Sequence, residues 1–240
     1  MSNPMEQFKI EPIIPIQVGG YDISFTNSSL FMVLAVVSAT LLMALCLRRR
    51  TIIPSVAQSI PESLYDFVAG LLRENVGVEG LKYFPFIFTI FMFVAFGNVL
   101  GLFPYAFTFT SHLAAVGTLS VISLLFNIGI GIKKKKLGYL RTFLPRGIPM
   151  VLAPLIIPIE MISYLSKPFS LTVRLVANMT VGHIMLKIIA GFITVAGVLG
   201  VIPFAFDAGI VVFEIFIGLL QAFIYTVLSC IYLSEALHEH

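Results

Sequence analysis

The stretch "KPFSLTVRLVANMTVGH", positions 167–183, places Lys167, Arg174, Asn178 and His183 inside a long apolar part of the chain. Glu160 precedes it, Lys187 follows it, and Asp207 and Glu214 stand in the next apolar run. An ionised side chain at the centre of a bilayer costs about 3 kcal/mol on insertion scales, so such residues are functional candidates by default. Arginine stays protonated at any relevant pH. It cannot relay protons by losing one, but it can attract a carboxylate and block a proton wire. Histidine and glutamate can gain and lose a proton and so can pass one on. A fixed cation beside titratable groups is what a proton path with a barrier requires.

Helical geometry sorts the set. Positions seven apart drift by only about 20° around a helix, so Glu160, Lys167 and Arg174 form one stripe, and Asn178 extends it. His183 lies about 180° around from Arg174, with Lys187 on its face. In the last run, Glu214, Gln221 and Tyr225 fall within about 40° of one another, and Gly218 and Ala222 on that side let another helix come close.

Each residue also has a plainer reading. Asn178 and Gln221 serve equally as interhelical glue, and His183 and Glu214 as a buried pair that only fixes packing. Ser170 can bond its own helix. Asp207 suits a helix N-terminus, and Lys167 and Lys187 suit snorkelling or pairing. The closing "HEH", 238–240, reads as a solvated tail and His112 as an external loop residue. No HExxH, GxSxG or Gly-rich phosphate loop is present, so neither a metal, a cofactor nor a bond-making site is expected.

The elements that must position these residues follow from composition. The 240-residue chain is 58% hydrophobic and 11% charged, whereas soluble domains carry about a quarter charged residues. Its apolar runs are continuous, and each reaches the roughly 20 residues that a spanning helix needs. Barrel strands would alternate, and these runs do not. The expected fold is all-α: a polytopic membrane protein with about five membrane-embedded helices. Cys46 and Cys230 both lie in apolar segments and imply no disulfide framework.

The chain divides into an external N-terminal arm, 1–27, and a single membrane domain, 28–240. Spans are expected at 28–47, 84–103 and 113–132. Positions 59–79 read as an amphipathic helix opened by a Ser59–Glu62 capping box, which fits the inner membrane surface and a solvated helix packed on another subunit equally well. The region 148–199 is too long for one upright helix, since fifty helical residues reach about 75 Å against a core of about 30 Å. One inclined helix, paired with a return over 204–234, and two separate spans both fit it; the hairpin is favoured. Pro149, Pro154, Pro158 and Pro168 mark breaks or kinks. Eleven of the fifteen basic residues gather at what is then the inner border, among them Arg48 to Arg50 and Lys133 to Lys136. That puts the N-terminus outside and, with a hairpin, the C-terminus inside. The net charge of +3 reflects these borders rather than nucleic-acid binding.

"LSKPFSLTVRLVANMTVGH" together with "FEIFIGLLQAFIYTVLSCIYL" closely resembles subunit a of the F-type ATP synthases, with "PLIIPIE" and "IYLSEALHEH" in support. The resemblance implies a proton-conducting stator subunit of a rotary motor, in a bacterial or mitochondrial inner membrane. Partners would be a ring of c subunits, b-type peripheral-stalk subunits, membrane lipid and protons; bond-making would belong to a separate catalytic head. It implies that Arg174 faces the ring and separates two offset half-channels. His183, Glu214, Asn178 and Gln221 would line the outer one, with Asp207 at its entrance, and Glu160 and Ser170 the inner one. Some bacterial members carry Glu at the position of His183 and His at that of Glu214. The exchange resembles mitochondrial and α-proteobacterial-like members and implies a coupled pair. An ion-coupled secondary transporter is the rival reading, although such folds usually show repeated halves and none is visible here. An intramembrane enzyme would need a nucleophile or a complete metal site.

Overall fold

A computed structural model describes residues 9–18, 21–22, 24–48, 55–103, 106–136, 152–196 and 200–237. Six α-helices carry it: α1 Asn27–Cys46, α2 Val56–Asn75, α3 Phe84–Gly101, α4 Leu113–Lys135, α5 Ala153–Ala196 and α6 Val201–Leu237. All but α2 include a stretch long and apolar enough to cross a membrane. The protein is thus a polytopic all-α membrane protein. Arg49, Arg50, Arg141, Arg146 and the 238–240 tail lie outside the described residues. The region 152–196, where one helix or two spans both fitted, is helical throughout. Pro158 and Pro168 sit inside α5 without ending it. Hydroxyls can bond backbone carbonyls in the absence of water, and Thr172 Oγ1 does so, donating to Pro168 O at 2.9 Å.

The chain forms two compact units. The first comprises Met1–Arg48, Met92–Val116 and Arg174–Ala222. Its N-terminal arm is not featureless: β1 Pro12–Ile14 pairs antiparallel with β4 Phe25–Thr26, and β2 Gln17–Val18 with β3 Tyr21–Asp22. Asn27 secures the arm, its Nδ2 donating to Lys9 O at 3.0 Å and its backbone N–H to Glu11 O at 3.1 Å. Thr26 caps α1, its side chain accepting from Ser29 N. Only Ser28, Ala35 and Ala39 of α1 are buried, and Ser38 and Thr40 return their hydroxyls to the carbonyls of Leu34 and Val36. An apolar helix exposed on most sides suits lipid.

The described part of the connection after α3, 106–112, packs against helices of the same unit. Phe107, Thr108, Phe109, Thr110 and Ser111 are buried, with a 3-10 turn at Phe109–Ser111. Phe107 and Phe109 pack with Ala35, Phe31, Met32, Phe93 and Phe96. A Cβ on Gly97 would collide with the Phe109 ring. Burial of these aromatics against helix surface outweighs exposing the loop. His112, expected to be a plain loop residue, instead stacks on Phe107 at 4.9 Å. Burial lowers its pKa from the ordinary value.

The second unit comprises Arg49–Phe91, Gly117–Val173 and Phe223–His240. Here α2 starts four residues ahead of the expected capping box. Ser55 is the N-cap, accepting from Gln58 N, while Ser59 donates its hydroxyl to Ser55 O inside the helix. Glu62 accepts from Gln58 Nε2 at 2.7 Å instead of reaching back to Ser59. At the other end Gly77, with φ of 84°, stops the helix, its N–H donating to Leu72 O and Arg73 O. Ser55→Ala should weaken the first turn by about 1 kcal/mol, seen as faster hydrogen exchange of its amides. Unchanged exchange there would show that the cap carries no stability.

Hydroxyls join helices within this unit. Ser120 Oγ is 2.8 Å from Thr172 Oγ1, the Tyr225 hydroxyl donates to Ser120 at 3.4 Å, and Ser123 meets Ser229 at 3.2 Å. Inside lipid such contacts contribute to helix association where no hydrophobic force separates helix from solvent. Tyr164 and Tyr232 stack edge to face at 5.2 Å.

Candidate functional site

The candidate residues of α5 and α6 divide between the units. Glu160, Lys167 and Ser170 belong to the second; Arg174, Asn178, His183, Lys187, Asp207, Glu214 and Gln221 belong to the first. In the second unit Lys167 pairs with Glu235 at 3.4 Å and lies 5.7 Å from the centre of the Tyr232 ring. Ser170 is exposed and Glu160 half-buried.

In the first unit, chemistry gathers around one imidazole. His183 is buried, at 9% exposure, and Glu214 at 4%. His183 Nε2 stands 3.9 Å from Glu214 Oε1, too long for a hydrogen bond but close enough for strong coupling. Neither carboxyl oxygen of Glu214 has a hydrogen-bond partner among the described residues. A buried carboxyl without fixed donors is costly to leave ionised. Gly182 brings α5 within reach: a Cβ there would lie 2.7 Å from Glu214 Cδ and closer still to Oε1.

Two residues that sequence reasoning passed over complete the arrangement. Thr108 Oγ1 is 2.8 Å from His183 Nε2, and Asn98 Nδ2 donates to Gly218 O at 2.8 Å. Gly218 permits the approach, as its small size predicts; a Cβ there would be 3.1 Å from Asn98 Cβ and 3.2 Å from Met179 Cε. Asn98 has a readable signal, an amide deep in an apolar run, as do Ser120, Ser123 and Asn127 at helical spacing in α4. Thr108 has none, since its partner is 75 residues away.

The other candidates are placed as follows. Gln221 is buried at 4% exposure, and its Oε1 has no partner among the described residues. Glu214, Gln221 and Tyr225 are all buried, although Tyr225 belongs to the second unit. Asn178 and Asp207 are half-buried. Arg174 is exposed and makes no ion pair among the described residues. No group of three His, Cys, Asp or Glu side chains among the described residues could hold a metal ion.

Comparison with known proteins gives one result throughout. A family model described as ATP synthase A chain matches residues 29–234. ATP synthase subunit a of Rhodospirillum rubrum is 54% identical over 241 residues, covering 100% of both chains. The Paramagnetospirillum magneticum protein of the same name is 51% identical over 247 residues, again covering 100% of both. That of a Chelativorans species is 46% identical, covering 99% of this chain and 98% of its own. With a family model spanning nearly the whole chain and full-length relatives at this identity, the chain belongs to the ATP synthase A chain family.

Proposed function

We propose that this chain is the proton-conducting stator subunit of a rotary F-type ATP synthase. It exchanges protons with a carboxylate on a ring of c subunits through two offset half-channels. Arg174 faces the ring, stays charged through the cycle, draws the incoming carboxylate to give up its proton and keeps the half-channels from joining. His183 and Glu214 carry protons in the outer half-channel, with Asn178 and Gln221 as neutral hydrogen-bonding groups and Asp207 at the entrance. Glu160 and Ser170 belong to the inner half-channel. The b-type subunits of the peripheral stalk hold the chain against the ring's rotation. The N-terminus lies outside and the C-terminus inside a bacterial inner membrane; the relatives compared are bacterial.

The observation that carries this reading is the buried His183–Glu214 pair, 3.9 Å apart, in a chain of this family. Family membership also favours it over a secondary transporter. Glu214→Gln keeps the size of the side chain and removes its exchangeable proton. In reconstituted complexes that retain the ring, it should lower ATP-driven vesicle acidification by about a hundredfold, as expected for loss of a proton-transferring group. Acidification at the unmodified rate would remove Glu214 from the path.

A further inference from the structure

Thr108 has one hydroxyl proton and two neighbours for it. Oγ1 is 3.1 Å from Gly101 O and 2.8 Å from His183 Nε2. A carbonyl only accepts. When the hydroxyl donates to Gly101 O, its oxygen can only accept from the ring, and Nε2 must carry a proton. When Nε2 is bare, the hydroxyl turns and donates to it. Nε2 is also the ring atom that stands 3.9 Å from Glu214 Oε1.

We propose that Thr108 is a positioning residue of the proton path, a hydroxyl rotor that keeps His183 Nε2 beside Glu214 and gives that nitrogen a partner in both of its protonation states. This rests on the reading of His183 as a path residue. For a proton to leave Nε2 for the Glu214 carboxylate, the ring N–H first parts from Thr108 and the 3.9 Å separation closes; the hydroxyl proton then stays on Thr108 and changes only its acceptor. Charged groups about the ring include, among the described residues, Glu214 from α6, with Asp207 acting on it, and Lys187 from α5. Thr108 is a neutral neighbour, able to follow the ring's charge without adding one.

Two features separate this role from simple loop fastening. The backbone at position 108 is held by other means: Ser111 Oγ donates to Thr108 O at 2.6 Å, and Phe107 and Phe109 on either side are buried. The approach of the hydroxyl to its carbonyl also requires a glycine. A Cβ on Gly101 would lie 2.8 Å from Thr108 Oγ1 and 2.7 Å from Cγ2.

The test compares Thr108→Val, which keeps shape and loses the hydroxyl, with Thr108→Ser, which does the reverse. Each is made alone and together with His183→Gln in the reconstituted complex, and residual ATP-driven acidification is measured. Thr108→Val should slow it about tenfold, the size of one hydrogen bond to a group that becomes charged. Thr108→Ser should stay within about twofold of the parent, because the hydroxyl survives. In the His183→Gln background, Thr108→Val should add nothing, since residues acting through one another are not additive. Normal acidification by Thr108→Val, or an undiminished extra loss beside His183→Gln, overturns the proposal. Normal acidification by His183→Gln alone overturns the path reading, and the proposal with it.

Discussion

Arg174→Ala is expected to abolish ATP-driven proton pumping in complexes that still assemble, and to raise passive proton leak through the membrane sector. The guanidinium has no ion-pair partner among the described residues and is exposed on α5. Its removal therefore strands no buried carboxylate among the described residues, and a stranded partner is the usual reason that deleting a buried charge unfolds a protein. A functional loss can then be read as functional. Arg174→Lys separates the two properties of the side chain. Lysine keeps the charge but not the planar fork, and it loses its proton far more readily when desolvated. It should block the leak while pumping poorly. The measurement is acidification of vesicles on ATP addition, paired with dissipation of an imposed pH gradient. If both variants pumped like the parent, Arg174 would be a structural residue and the barrier would have to be sought elsewhere.

Gly182→Ala should be nearly as damaging, although it adds only a methyl group. That methyl would be placed 2.7 Å from Glu214 Cδ, and closer to Oε1. The carboxyl must give way, because the backbone of α5 is fixed by its own hydrogen bonds. Its displacement alters the 3.9 Å spacing to His183 Nε2. A misplacement of about 1 Å can cost about a hundredfold in a positioned reaction, and a loss of that order in proton flux is expected. A suppressor makes the cause visible: Glu214→Asp shortens the side chain by one methylene and should restore part of the flux to Gly182→Ala. Gly129→Ala is the control, since a Cβ there meets nothing within 4 Å. Full activity of Gly182→Ala would show that Glu214 tolerates displacement, and with it that the spacing to His183 is not critical.

What the sequence reveals here follows from which forces are local. Spanning helices announce themselves because lipid imposes a length and excludes charge over a continuous run. The helix bounds accordingly fall close to the hydropathy bounds, as for 28–47 against Asn27–Cys46. The chemistry of α5 and α6 is legible for the same reason: each ionisable residue in such a run carries a cost that calls for explanation. Spacing alone places His183 and Arg174 on different faces, and the first is buried while the second is exposed.

The misses are of another kind. Nothing local distinguishes Ser59 from Ser55 as the start of α2; both are hydroxyls ahead of an apolar pattern, and the earlier one is used. The paired strands of the arm are two or three residues long, below what alternation can signal. The burial of the connection after α3 depends on Phe107 and Phe109 finding surfaces on α1 and α3, a long-range match that the composition of a loop does not encode. Thr108 reaches His183 only because that match is made.

The sparse contacts of α1 bear on the order in which the chain can be made. Its buried residues are three small ones, and an aromatic contact, Phe31 with Phe107, spans 6.4 Å between ring centres. Phe107 and Phe109 are synthesised after α1. Until then α1 has nothing of this cluster to pack on. Along its middle it needs nothing either, since the hydroxyls of Ser38 and Thr40 are turned back onto its own backbone and the surface there is largely apolar. The first helix can thus commit to the bilayer alone and fix the orientation of all that follows, while the later segments dock onto an anchor already in place.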